Sequence, residues 1–217
     1  MINKLLDRLE LRCGRYSGIR NLMTLIVFGM GIVFIGDLLF GSALGFSLSS
    51  YLMFDKAAIL RGEVWRVFTF VFLPPSSSMI FIIFSLLFYH FLGQTLESEW
   101  GTFRFTVYYM VGMLGTVIAG TITGYATGYY LNMSLFFAVA LLHPNTQLNI
   151  YGILPVKMKW LALLDALLLL PTLITGSWPQ RIALIVSLLN VVLFFMDRLI
   201  RVFTDARRRY EWRKNWR

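Results

Sequence analysis

Ser134 and His143 stand nine positions apart in the apolar stretch "YLNMSLFFAVALLHP". A serine hydroxyl beside a histidine base is the pair that makes a hydrolytic nucleophile. That chemistry requires hydrogen-bond contact. Nine residues along one helix separate the two by ~13.5 Å, so His143 falls near the opposite face of the membrane from Ser134. The other histidine, His90, precedes Gly93 by three residues and also falls at the inner end of its span. Neither histidine reaches Ser134. Three carboxylates remain as proton acceptors: Asp37 near the outer end of the first span, Asp165 inside "LALLDALLLL", and Asp197 beside Arg198 at the inner end of the last. An intramembrane carboxylate is a functional candidate by default. Asp165 reads either that way or as a group hydrogen-bonded to a neighbouring helix or to interfacial water, and Asp197 as half of a charge pair with Arg198. Metal-ligand clusters, a P-loop and the paired broken helices of transporters are all missing from the sequence, so neither a metal nor a cofactor is expected.

The elements that must position these residues follow from composition. Hydrophobic residues make up 58% of the 217 and charged residues 14%, and several apolar runs approach the ~20 residues that cross a bilayer. The spans expected are Leu22 to Phe40, Met79 to Leu96, Phe103 to Tyr125, Leu131 to Leu142, Trp160 to Ile174 and Ile182 to Ile200. This is an all-α, polytopic, six-helix membrane bundle. The fourth span, about 12 residues and ~18 Å long, is too short for a ~30 Å hydrocarbon core, so other helices must shelter it or the bilayer must thin around it. Gly41 to Pro75, with its mixture of aromatic and charged residues, suits a structure lying in the outer interface rather than a seventh crossing.

The net charge of +9 is concentrated at the ends: Lys4, Arg8, Arg12, Arg15 and Arg20 before the first span, and Arg198, Arg201, Arg207, Arg208, Arg209, Arg213, Lys214 and Arg217 at or after the last. Basic flanks mark the cytoplasmic side and attract anionic lipid, so the reading is N-in and C-in, with lipid rather than nucleic acid as the partner. Lys157 and Lys159 then fall in a cytoplasmic loop. The organisation is a basic amphipathic cytoplasmic segment over residues 1–20, with Met1 to Arg15 as a surface helix, a membrane domain over 21–203 and a basic tail over 204–217. Cys13 is the single cysteine, so no intramolecular disulfide forms. "GTITG" on the third span is a weak dimerisation signal that more simply packs inside the bundle, leaving a homo-oligomer open.

Three blocks carry a resemblance. "GEVWRVFTFVFL" (Gly62 to Leu73), "FLGQTLESEWGTFRFTVYYMVG" (Phe91 to Gly112) and "LNIYGILPVKMKWLALLDALL" (Leu148 to Leu168) together resemble the rhomboid superfamily, in particular bacterial rhomboid-like proteins. The resemblance implies a compact bundle with a short, surrounded fourth helix and a water-filled outer cavity. It implies that Trp65 and Arg66 anchor the interfacial loop, that Glu97 braces the turn between spans two and three, and that Gly93 and Gly101 with Gly112, Gly115, Gly120 and Gly124 allow close helix approach.

An active rhomboid resembles a Ser-His dyad enzyme with Gly-x-Ser-Gly on span four, a histidine on span six and His-x-x-x-Asn on span two. Here span four reads "NMSL", with Asn132 and Leu135 in place of the glycines if Ser134 is the serine. Span six has no histidine and places Asn190 at the base position, and span two offers Phe81 and Ser85. A neutral amide is no useful base near pH 7. The expectation is a catalytically inactive, derlin-like pseudoprotease with a residual polar cluster of Ser134, Asn190 and Ser85. It would bind transmembrane or membrane-anchored clients through a lateral gap and a locally thinned bilayer, with a bacterial cytoplasmic membrane as its expected location and an endoplasmic reticulum membrane as the alternative. The alternatives are an intramembrane serine protease using Ser134 with an atypical base, and a scaffold or small-molecule carrier that keeps only the fold.

Overall fold

The computed structural model describes residues 18–45, 47–76, 78–124, 126–150 and 154–215. The surface helix expected over Met1 to Arg15 lies outside the described residues, as do the side chains of Asp197 and Arg198.

The chain is nearly all-α. Helix α1 (Leu22–Leu44) leads into three short helices, α2 (Leu48–Leu52), α3 (Lys56–Leu60) and α4 (Arg66–Thr69), and a 3-10 turn at Phe70–Phe72. Then follow α5 (Met79–Trp100), α6 (Thr102–Thr123), α7 (Gly128–Leu142), a hairpin of β1 (Gln147–Ile150) and β2 (Leu154–Lys157), α8 (Met158–Thr175) and α9 (Trp178–Asn215). Five helices, α1, α5, α6, α8 and α9, are long and apolar enough to cross a bilayer. The sixth expected span is α7, whose 15 residues rise ~22 Å. It starts three residues earlier than expected because Thr127 caps it, its side chain accepting from the Tyr129 N–H at 3.3 Å.

The antiparallel hairpin, with Leu148 opposite Val156, is a departure from the all-helical expectation. Alternating apolar residues on both sides of Tyr151-Gly152 are its sequence signature, which is short enough to be overshadowed by the apolar run that follows. The segment expected to lie at the interface after the first span folds into α2, α3, α4 and the 3-10 turn. Asp55 begins α3 by accepting from the N–H groups of Ala57 (2.8 Å) and Ala58 (3.3 Å), as an N-cap aspartate does.

Helix α7 forms the centre. Leu131, Ser134, Leu135, Ala138 and Val139 on it are at most 1% exposed, and α5, α6, α8, α9 and the 3-10 turn all pack on it. The sheltered short helix is therefore a property of the fold. Lipid tails are as apolar as leucine, so such a centre is held by close packing and internal hydrogen bonds rather than by exclusion of water. The least sheltered span is α8, with 11% of its most apolar stretch buried against 28% to 44% for the other four.

The hairpin end of the bundle is closed by Glu97, whose Oε1 accepts from the Asn21 N–H (3.1 Å) and the Thr102 hydroxyl (3.0 Å). These contacts join the start of α1 to the turn between α5 and α6. That turn is one residue, Gly101, at φ 81° and ψ 161°, a backbone region essentially restricted to glycine. Gly93 lies in the α1–α5 contact, where an added Cβ would meet Met23 Cβ at 2.2 Å. At the opposite end, Arg66 is 8% exposed. Its Nε donates to Glu63 (2.6 Å) and its Nη1 to the carbonyls of Ser50 (2.8 Å) and Met53 (3.0 Å). The neighbouring Trp65 is half exposed, and its indole N–H donates to the Tyr51 carbonyl at 3.3 Å.

Candidate functional site

Helix α7 separates the sequence's candidate residues onto two faces. Ser134 faces α6 and α9 and is fully buried. Its hydroxyl donates to the Leu131 carbonyl (2.6 Å) one turn back and accepts from the Tyr108 hydroxyl (3.0 Å). Tyr108 also reaches the Ser134 carbonyl (3.1 Å). Asn190 on α9 comes to the same junction, its Nδ2 donating to the Tyr108 carbonyl at 3.4 Å. The contact is possible because residue 112 lacks a side chain: a Cβ there would stand 2.4 Å from Leu131 Cδ1 and 2.7 Å from Asn190 Nδ2. Asn190 Oδ1 is buried without a hydrogen-bond partner among the described residues.

Both histidines are engaged elsewhere. His143 Nε2 lies 3.0 Å from Glu99 at the hairpin end, and His90 Nδ1 lies 3.4 Å from the Thr24 hydroxyl. Among the described residues, only Tyr108 and the Leu131 carbonyl are hydrogen-bonded to the Ser134 hydroxyl. Tyr108 is therefore the chief positioning contact of this cluster. Tyr108→Phe is expected to cost about 1–2 kcal/mol by stripping two acceptors of a buried donor; thermal unfolding of the purified protein in detergent checks it, and in a Ser134→Ala background the cost should shrink.

The other face of α7 borders a cavity of about 610 Å³ between α5, α7 and α8. Phe84, Phe88, Phe91, Phe136, Leu161 and Leu164 make its walls apolar, and Ser85, Tyr129, Asn132 and Asp165 supply polar groups. Ser85 therefore sits here and not with Ser134 and Asn190, so the three expected to cluster are divided by α7. Phe81, at the other span-two position, is more than half exposed on the outside of α5. Tyr89 also lines the cavity, beside Asn132. Asn132 Oδ1 and Asp165 Oδ2 are buried and have no hydrogen-bond partner among the described residues. Tyr129 is the residue sequence reasoning passed over, and Asn132 was read only as standing in place of a glycine. Their polarity in an otherwise apolar helix was the available signal, but which face of α7 they occupy was not.

The remaining carboxylate, Asp37, has a full set of local donors: the Ser47 hydroxyl (3.4 Å), the Ser49 N–H (3.1 Å) and the Ser49 hydroxyl. It ties α1 to α2. Gly120, in the glycine pair of "GTITG", faces Ala126 and Phe54 inside the bundle. Among the described residues no group of three or more His, Cys, Asp or Glu side chains could hold a metal.

No curated protein matches the chain. A family model described as "Eukaryotic integral membrane protein (DUF1751)" matches residues 20–197. The chain belongs to this family of eukaryotic integral membrane proteins. The expectation of a bacterial membrane gives way to a eukaryotic one, because basic flanks record which side of a membrane a terminus occupies and carry no information about which membrane it is.

Proposed function

We propose that this member of the eukaryotic integral membrane protein family is a rhomboid-like protein without protease activity that binds transmembrane clients between α5 and α8, over the short helix α7. Both termini face the cytoplasm in this reading, which the basic flanks support. The observation that carries the binding is the side cavity: α5 and α8 each pack on α7, and about 610 Å³ of largely apolar space opens between them. Cavities of this size, apolar with a few converging polar groups, are the usual form of a binding site. A 15-residue helix at the back of the gap leaves the bilayer locally thin, which eases entry of a helix with a polar group.

The absence of catalysis rests on Ser134. Its hydroxyl is fully buried and already donates to the Leu131 carbonyl, and among the described residues both histidines are engaged elsewhere. An activated serine needs both a proton acceptor and access to substrate. The purified full-length protein, in detergent and in liposomes, is expected to show no labelling by a fluorophosphonate probe, beside a labelled active rhomboid control. Labelling that disappears in Ser134→Ala would overturn the non-catalytic reading in favour of a serine protease with an atypical base.

A further inference from the structure

We infer that the cavity between α5 and α8 selects clients whose transmembrane helix carries a basic residue near its middle, with Asp165 and Asn132 as the receiving acceptors. The inference rests on the client-binding reading above and specifies its chemistry.

Two buried oxygens line the cavity without a hydrogen-bond partner among the described residues: Asp165 Oδ2 from α8 and Asn132 Oδ1 from α7. Both are acceptors, and buried acceptors without donors are costly in an apolar setting. The complement to this pair is a donor-rich group, and lysine or arginine is the side chain that presents several donors together with the charge opposite to a carboxylate. Tyr129 and Ser85 at the same cavity add hydroxyls that can share such a group. Intramembrane carboxylates and basic side chains characteristically pair with one another for this reason.

Depth decides the source of the basic group. Asp165 is the eighth residue of α8, Met158–Thr175, so it lies ~10 Å along the helix from one end and ~15 Å from the other. A lipid head group stays at the interface and does not present its amine at that depth. A lysine or arginine near the centre of a crossing helix does. The surrounding surface fits a helix as well. Leu164 on α8 and Phe84 and Leu87 on α5 line the cavity and are also exposed on the outside of the bundle, and α8 is the span with the smallest buried share. The cavity itself accommodates the long basic side chain and its neighbours, while the client backbone lies against the α5 and α8 surfaces.

The test co-reconstitutes the protein, carrying a photo-crosslinking residue at Leu164 on the cavity wall, with single-span leucine-rich helices bearing at their centre lysine, leucine or aspartate. The lysine-centred helix is expected to crosslink about three- to tenfold more than the leucine-centred one. Asp165→Asn should abolish that preference, Asp165→Glu should keep it, and Asp165→Lys should transfer it to the aspartate-centred helix. Thermal unfolding of each variant establishes that it is folded, and Asp165→Glu serves as the conservative control. Equal crosslinking of lysine- and leucine-centred helices overturns the selection for a basic residue and leaves client binding standing. No crosslinking of any helix above that of a probe placed at Ile118, on the outward surface of α6, overturns client binding as well.

Discussion

Gly93→Ala is expected to lower the stability of the bundle by about 2–3 kcal/mol. The new Cβ would stand 2.2 Å from Met23 Cβ and 2.4 Å from Met23 Cγ, far inside the ~3.5–4.0 Å at which carbon atoms attract. Those atoms are next to the α1 backbone, so no rotamer change at the tip of the methionine relieves the contact. The helices must move apart, and Met23 and Leu92, neither of them exposed, would lose packing on both sides of the seam. For a chain of this size the loss corresponds to a fall of roughly 4–12 °C in Tm. A second variant isolates the cause. Met23→Gly is destabilising by itself, because it leaves a hole, but Gly93→Ala in that background should be near neutral. A cost that stays above 2 kcal/mol in the double variant would show that the collision with Met23 is not its origin.

Arg66→Ala is expected to cost about 2–4 kcal/mol. The guanidinium is 8% exposed, and its removal leaves the Ser50 and Met53 carbonyls without their donor, together with a half-buried Glu63 carboxylate. The figure is set below that of a fully buried ion pair because the Glu63 side chain is 33% exposed and water takes over part of its solvation. Arg66→Lys should recover less than half of the loss, since one ammonium cannot span the three acceptors that the planar fork reaches. The damage should be local. Trypsin cleavage at the exposed Lys56 and Arg61 should accelerate in Arg66→Ala before global unfolding is seen, and the Asp165-dependent crosslinking should survive. Unchanged cleavage at those two sites, in a variant shown to be folded, would mean that Arg66 does not hold α2, α3 and α4 together.

How much of this was legible beforehand differs by element. The first, second, third and fifth spans were readable to within four residues at each end, because in a bilayer every backbone group must be bonded within its own helix and the apolar run has to be long enough to cross. The last was readable where it is apolar, but its helix runs on through the basic tail to Asn215, and hydropathy does not register a helix that continues into charged sequence. The hairpin after α7 was missed, since four-residue strands leave too short a pattern to compete with an adjoining 18-residue helix.

The candidate site was legible only in parts. The lack of a base for Ser134 follows from counting histidines and measuring helical spacing, and the structure adds that His143 is held by Glu99 and His90 lies against Thr24. Asp165 was visible as a carboxylate in an apolar run. Its relation to Asn132, and the separation of Ser85 from Ser134, were not. These depend on which side of α7 each residue faces once α5, α6, α8 and α9 have closed around it.

The sequence by itself thus determined that this is a polytopic helical membrane protein with one helix too short to stand alone in lipid, and that no histidine can serve Ser134. Those conclusions rest on local quantities: run length, residue type and rise per residue. Only the tertiary structure decided that Ser134 is sealed by Tyr108 while Asn132 and Asp165 share an open cavity. Helices in a membrane are apolar on all sides, so periodicity does not mark their inward face, and the rotation of α7 about its own axis is set by close contacts such as that of Leu131 on Gly112.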